Sequence, residues 1–417
     1  MSNNLDALKA EHESICQSGL SLNMERGQPA DENFDFSSPM LSILGESDYL
    51  TDSGVDVRNY PGGVAGLAEA RSLFSEQLGI EPDQIIVGNN SSLELMSQVL
   101  SWALLKGVRG SNHGWVHDRP RLIVTVPGYD RHFSLAQTLG YELVSVPMLS
   151  SGPDMDAVAR LAAEDSRVKG IYFVPNYSNP TGDCLSLESA ERLVSMPTEA
   201  SDFTVFADDA YAVHHLVEPE QAAPNLLKLA ENAGNSDRVI LFASTSKVTF
   251  ASGGLAFAGM NVENLAHWSK LFSQQSIGPN KVEQWRHVCF LRNYPGGLKG
   301  LMRDHARVLK PKFDSVTQVL EEELGNCNLA RWSDPKGGYF INLDTTRPVA
   351  TRVVELAKQA GVALTPSGAT FPGGRDPENS NIRLAPTRPS LADVEKAMKV
   401  VACCIKLASA EYDAQSG

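Results

Sequence analysis

The sequence predicts an α/β protein, with a large unit built on a mainly parallel sheet between helices and a smaller α+β unit after it. Three observations carry that expectation. Short runs rich in Val, Ile and Phe recur between helical stretches: QIIVG (84–88), RLIVTVP (121–127), ELVSVP (142–147), GIYFVPN (170–176), FTVFAD (203–208) and RVILFAS (238–244). Several read as buried on both faces, as the strands of a parallel sheet are. After residue 300 the texture changes, and one long amphipathic pattern, LKGLMRDHARVLKPKFDSVTQVLEEELG, gives way to strand, helix, strand and helix.

In chain order, residues 1–47 read as a helix and an extended arm ending near MERGQPADENFDFSSPM, expected to pack with the small unit. Residues 48–295 form the large unit and 296–417 the small one. AGLAEARSLFSEQLG is a helix by its apolar spacing, and QIIVG runs into NNSSLELMSQVLSWALL as strand, turn and helix. The stretch RGSNHGWVHDR (109–119) reads as a solvated loop and not a metal site, because its two histidines and aspartate lack a visible fourth ligand. Pro311 marks a bend in the long helix. The hexapeptide RNYPGG stands at 58–63 and again at 292–297 with no longer period, so each copy is read as a turn before a helix.

A chain of 417 residues is too long for one ordinary core. The formal net charge of −14 repels nucleic acid and anionic membranes, so neither is expected as a partner. No apolar run approaches the roughly 20 residues of a membrane span, and the polar N-terminus lacks the apolar core of a signal peptide. A cytoplasmic protein is expected. The six cysteines, at 16, 184, 289, 327, 403 and 404, form no CxxC pair, which argues for reduced thiols and against a zinc site.

Polar residues follow the apolar runs, and strand ends are where α/β proteins build sites. Ser91, Ser92 and Leu93 fall at a helix start, where free backbone N–H groups attract an anion. Tyr129, Asn179, Asp208 with Tyr211, and Ser244, Ser246 and Lys247 follow four further strands. An acid closing an apolar strand, as Asp208 does, costs desolvation unless it meets a cation.

NPTG (179–182), DDAY (208–211), STSK (244–247) and IRLAP (382–386), in that order, resemble the fold-type I, pyridoxal 5′-phosphate (PLP) dependent aminotransferases of class I/II over nearly the whole chain. LNMERGQPA, VGNNSSLELM and SKVTFASGG resemble more narrowly the aspartate aminotransferase branch related to MocR-type catalytic domains. The resemblance implies a seven-stranded sheet, PLP as cofactor, and an amino acid and a 2-oxo acid as substrates. Lys247 would carry the cofactor and move a proton, Asp208 would face the pyridine nitrogen, and Tyr211 and Asn179 would bind its O3′. Tyr129 would stack on the ring, Arg383 would grip the substrate α-carboxylate, and Gly27 in the arm would cover the substrate. Tyr60 would reach the phosphate of a neighbouring subunit, which implies a homodimer with shared sites. The peptide bonds Asn179–Pro180 and Val126–Pro127 are expected to be cis on the same ground.

One departure stands out. The family commonly holds the phosphate with an arginine at the position of Leu255. The replacements available are Ser91, Ser92, Ser244, Ser246 and Tyr60, with Lys281 in the polar GPNK turn as the first candidate for a remote cation. Arg26, Lys281 and Arg375 are the candidates for the distal carboxylate of an acidic substrate. Transamination of aspartate with 2-oxoglutarate leads. A lyase or decarboxylase on the same fold stays open, because the bond broken depends on substrate orientation. A ligand-sensing regulator is disfavoured, since the acidic segment before RNYPGG shows no helix-turn-helix pattern.

Overall fold

The computed structural model describes residues 2–60 and 62–416. Its strands, in chain order, are β1 (Leu22–Asn23), β2 (Ile85–Val87), β3 (Arg121–Val126), β4 (Glu142–Leu149), β5 (Gly152–Pro153), β6 (Val168–Phe173), β7 (Thr204–Asp208), β8 (Val239–Ser244), β9 (Ala256–Gly259), β10 (Ala330–Trp332), β11 (Ile341–Thr345), β12 (Val362–Ala363) and β13 (Asn381–Leu384). Eight of them make one sheet in the order β2-β9-β8-β7-β6-β3-β4-β5. The run from β8 to β4 is parallel, whereas β9 is antiparallel to both neighbours and β5 to β4. The sheet thus has eight strands where seven were expected, the extra one being the two-residue edge β5. β9, the stretch AFAG, escaped the sequence reading because it is small and not β-branched. Gly259 is needed there, since a Cβ would meet the Ile80 side chain at 2.5 Å.

The apolar runs lack alternation because both faces of the sheet are covered. Ile85, Val87, Ile171, Phe173, Val205 and Ala207 pack into one cluster, with residues of helices Ala68–Leu78, Leu187–Ser195 and Lys281–Asn293. Ile86, Tyr172 and Phe206, between them in sequence, pack into a second, with helices Ser92–Lys106, Asp130–Leu139 and Val262–Phe272. Each buried Val, Ile or Phe among them contributes about 1.5–3 kcal/mol by leaving water. A third cluster joins the antiparallel sheet β10-β11-β13 to helices Ala350–Gln359 and Leu391–Ser416. Helix Gly297–Leu324 serves both units: Leu301 and Met302 belong to the first cluster and Leu309 to Leu324 to the third, and the helix runs through Pro311.

The N-terminal arm lies on the small unit. His12 Nε2 is 3.0 Å from Leu356 O, β1 pairs with β12, and Ala385 N donates to Met24 O at 3.3 Å. In the second RNYPGG, Gly296 takes the left-handed conformation (φ 77°) that starts the long helix. In the first, Pro61 lies outside the described residues, and Arg58 stacks 3.6 Å over the Tyr49 ring.

The 109–119 stretch is more than a solvated loop. Trp115 is fully buried and donates to Asp202 Oδ2 at 2.8 Å, Ser111 donates to the same oxygen at 2.7 Å, and Lys169 bridges Asp118 and Asp202 at 2.9 and 3.1 Å. The aspartates serve a buried lysine, and no metal-ligating group is found among the described residues. Val126–Pro127 and Asn179–Pro180 are cis as expected, and Glu218–Pro219 is a third cis bond that the sequence did not flag. All six cysteines are free, and among the described residues no helix is long and apolar enough to cross a membrane.

Candidate active site

Asp208 ends β7 and is 2% exposed. His132, one turn into helix Asp130–Leu139, sits 2.8 Å from its Oδ2, and a carboxylate can only accept, so Nε2 donates. The imidazole is clamped by Tyr172, stacked at 3.7 Å. The other oxygen, Oδ1, is buried with no hydrogen-bond partner. An unpaired buried carboxylate oxygen is costly, and a cationic ring N–H would supply the partner it lacks. The residues present therefore fit a pyridinium cofactor. The adjacent acid does not compete for the role: Asp209 accepts from Asn176 at 2.7 Å, and burial pushes its carboxyl up to about 7.

Lys247 stands just past β8 in an aromatic cage, its Nζ 4.9 Å from the Tyr211 ring centroid and 5.8 Å from that of Tyr339. Its carbonyl accepts from the Tyr339 hydroxyl at 3.3 Å and lies 3.4 Å from His214 Nε2, which fixes the turn. Burial lowers the pKa of the ammonium, against the opposing pull of Asp208. A lysine so poised gives up its proton more readily, as a nucleophile or base requires. Tyr211 is buried, and burial holds its phenol protonated well above the ordinary value, as a donor. Tyr129, half-buried before helix Asp130–Leu139, is pushed up to about 12 by burial and then by Asp208 and Asp130.

Arg383, on β13 of the small unit, reaches the same place. It donates through Nε to Thr365 Oγ1 at 3.2 Å and through Nη1 to Asn179 Oδ1 at 3.4 Å and Asp130 Oδ1 at 3.2 Å. Its guanidinium lies 4.9 Å from the Phe340 ring centroid. Gly27 crosses that ring so closely that a Cβ would come within 2.5 Å of it, so the arm packs on the ring that also flanks Arg383. The loop carrying Asn179 holds Tyr177 at φ 46°, a conformation that costs energy outside glycine, and a Cβ on Gly337 would strike the Tyr177 ring at 2.4 Å.

Two of the serines expected around the anion, Ser91 and Ser246, meet at the start of helix Ser92–Lys106. Ser91 caps helix Ser92–Lys106, its Oγ accepting from Glu94 N at 3.4 Å. Ser246 donates to Asn90 O at 3.2 Å, which ties the lysine turn to that helix start. The Leu93 side chain packs into the second cluster, so only its backbone N–H is available. Thr245 is committed elsewhere, accepting from Leu255 N at 2.8 Å. Leu255 is buried in the core, so the position of the usual arginine faces apolar packing. Lys281 is 5% exposed, makes no hydrogen bond among the described residues, and burial lowers its pKa. It opens the helix whose preceding Asn280 N donates to Asn89 Oδ1 at 3.2 Å, beside that helix start. Tyr60 is 69% exposed, and Arg26 and Arg375 are at the surface, so none of these is brought into the cluster by this chain alone.

His132, Tyr339 and Asp130 were missed in the sequence. The local sequence around each carries no sign of their contacts with Asp208, Lys247 and Arg383, which lie 76, 92 and 253 positions away along the chain. A separate cavity of about 1040 Å³, bordered by Leu216, Leu298, Met302 and Arg303, contains none of the site residues.

A profile of the aspartate amino-transferase family matches residues 1–417, and the chain belongs to that family. It is a fold-type I aminotransferase, and enzymes of this family use PLP. The chain is 41% identical over 406 residues to an aspartate aminotransferase of Corynebacterium glutamicum, covering 97% of this chain and 93% of that one. The crystal structure of an aspartate transaminase from C. glutamicum superposes with a TM-score of 0.95 at 40% identity, over 99% of this chain and 96% of that one. An α-aminoadipate aminotransferase from Thermus thermophilus shares the fold alone, with a TM-score of 0.77 at 23% identity over 94% and 93% of the two chains.

Proposed function

We propose that the enzyme transfers the amino group of L-aspartate to 2-oxoglutarate, working as a homodimer. The observation that carries the site assignment is the orphaned Asp208 Oδ1, placed within electrostatic reach of the Lys247 amine. The aspartate reading is supported by the C. glutamicum relative of that name. When bound, PLP supplies an electron sink conjugated to the substrate Cα. Asp208, held by His132, would face the cofactor's ring nitrogen and favour its protonated form. Tyr211 and Asn179 would donate to its phenolic oxygen, and Tyr129 would cover the ring face. The Lys247 amine would hold the cofactor and, when free, take up and return the substrate Cα proton, a role for which its lowered pKa suits it. Arg383 grips the α-carboxylate as a fork, and the arm at Gly27 excludes water over it. The three-part division at 47/48 and 295/296 follows the same reading, with the small unit bringing Arg383 to the large one. A single turnover with L-aspartate should leave the cofactor in its amine form and release oxaloacetate. Cofactor left in its aldehyde form with a cleaved or decarboxylated product would assign the lyase reading instead.

The phosphate is held on this reading by neutral donors: Ser91 and Ser92 with their backbone N–H groups, Ser244, Ser246, and Tyr60 from the partner chain. Each hydroxyl donating to the charged phosphate contributes on the order of 1.5–3 kcal/mol, so Ser91→Ala, Ser244→Ala and Ser246→Ala should each weaken PLP binding roughly 10- to 100-fold. Lys281→Ala should change it less. A fall of more than about tenfold for Lys281→Ala, with the serine variants unchanged, would replace the neutral cradle by a buried cation.

A further inference from the structure

Arg383 does not stand free for a substrate. It is 7% exposed, and among the described residues its one anionic contact is Asp130, whose Oδ1 accepts from Nη1 at 3.2 Å. Thr365 and Asn179, its other partners, are neutral. Asp130 is the first residue of helix Asp130–Leu139 and its side chain is 37% exposed, so it meets the guanidinium from the wetter side. A guanidinium binds a carboxylate best through two parallel N–H groups. Asp130 engages only one nitrogen of the fork, which makes it a weaker stand-in for the carboxylate that binds there.

We propose that Asp130 is an internal competitor for the substrate carboxylate, neutralising Arg383 in the resting enzyme and being displaced from Nη1 when substrate binds. The inference rests on the assignment of Arg383 to the α-carboxylate. A buried, unpaired guanidinium is costly, and a half-engaged acid at its side lowers that cost without closing the site. Displacing it subtracts the same free energy from the binding of every carboxylate. A small monocarboxylate, whose only handle is the fork, loses most of its affinity. A substrate that also brings an amino group and a second carboxylate retains enough. Asp130 thus sets a threshold against abundant small acids at the α-carboxylate subsite. The bland alternative is that Asp130 only serves the N-terminus of its helix, where an acid is favourable.

The test is calorimetric titration of wild-type, Asp130→Asn and Asp130→Ser holoenzyme with succinate and propionate, an unreactive dicarboxylate and monocarboxylate. Asp130→Ser keeps a side-chain acceptor at the helix start, which guards against a folding defect. Both variants should bind both ligands about tenfold tighter, the order of one charge-assisted hydrogen bond. The KM for aspartate should fall by a larger factor than kcat changes. Unchanged or weaker binding in both variants overturns the proposal. Arg383→Ala, titrated in parallel, separates the two readings. If it binds succinate as wild type does, the Arg383 assignment fails and the competitor with it. If it loses binding while the Asp130 variants bind as wild type, only the competitor fails.

Discussion

Lys247→Ala is expected to lower kcat by at least about 10⁴-fold, because it removes both a proton carrier, worth roughly 10²–10⁴, and the covalent anchor of the cofactor. The fold should survive. Burial disfavours the Lys247 ammonium, so its pKa is lowered in the folded chain. A lysine with a lowered folded pKa destabilises the cofactor-free protein at neutral pH, and that cost is relieved as pH rises toward the ordinary lysine value. The alanine variant without cofactor should therefore unfold no earlier than wild type near pH 7, and any advantage should shrink at higher pH. Thermal unfolding without cofactor checks this. Mixing Lys247→Ala chains with Tyr60→Ala chains tests the shared site. In a mixed dimer one site takes both defects and the other neither, so activity should return toward that of one intact site per dimer. No recovery in confirmed mixed dimers would remove Tyr60 from the partner's site.

What could be read from sequence, and what could not, divides by distance along the chain. Strands such as GIYFVPN were visible because a sheet covered on both faces needs apolar residues at every position, and Ile171 and Tyr172 do go to opposite clusters. β9 was invisible because its close packing demands small residues that carry no strand signal. Asn179, Asp208 and Lys247 were legible as polar residues at the ends of apolar runs, and Arg383 within the strand at IRLAP, all in motifs of a known family. The residues that tune them were not. His132 meets Asp208 across 76 positions, Tyr339 reaches the Lys247 carbonyl across 92, and Asp130 meets Arg383 across 253. Those contacts are set by how helices and strands stack, which local pattern does not encode. Trp115 was lost for a similar reason, since its anchor is an aspartate 87 positions away.

Asp208→Asn keeps the shape of the side chain and its hydrogen bond with His132 but removes the charge that faces the ring nitrogen. Breaking a buried pair by removing one charge costs about 3–5 kcal/mol, which corresponds to roughly 10²–10⁴-fold in rate or affinity at 1.36 kcal/mol per decade. Both PLP affinity and kcat should fall, and their combined loss should lie in that range. The two states of the protein should respond in opposite directions. Without cofactor, wild-type Asp208 buries a charged oxygen that has no partner, and the amide replaces it with a neutral group left unpaired at the same place, the smaller of the two costs. The cofactor-free variant should melt no lower than cofactor-free wild type. With cofactor, wild type gains the ring N–H as partner and the variant does not, so the stabilisation on adding PLP should shrink. Paired melting curves with and without PLP make the comparison. A variant that loses stability in both states by the same amount would show that Asp208 is a structural acid held by His132. A variant that keeps the full PLP stabilisation would place the ring nitrogen elsewhere in the site.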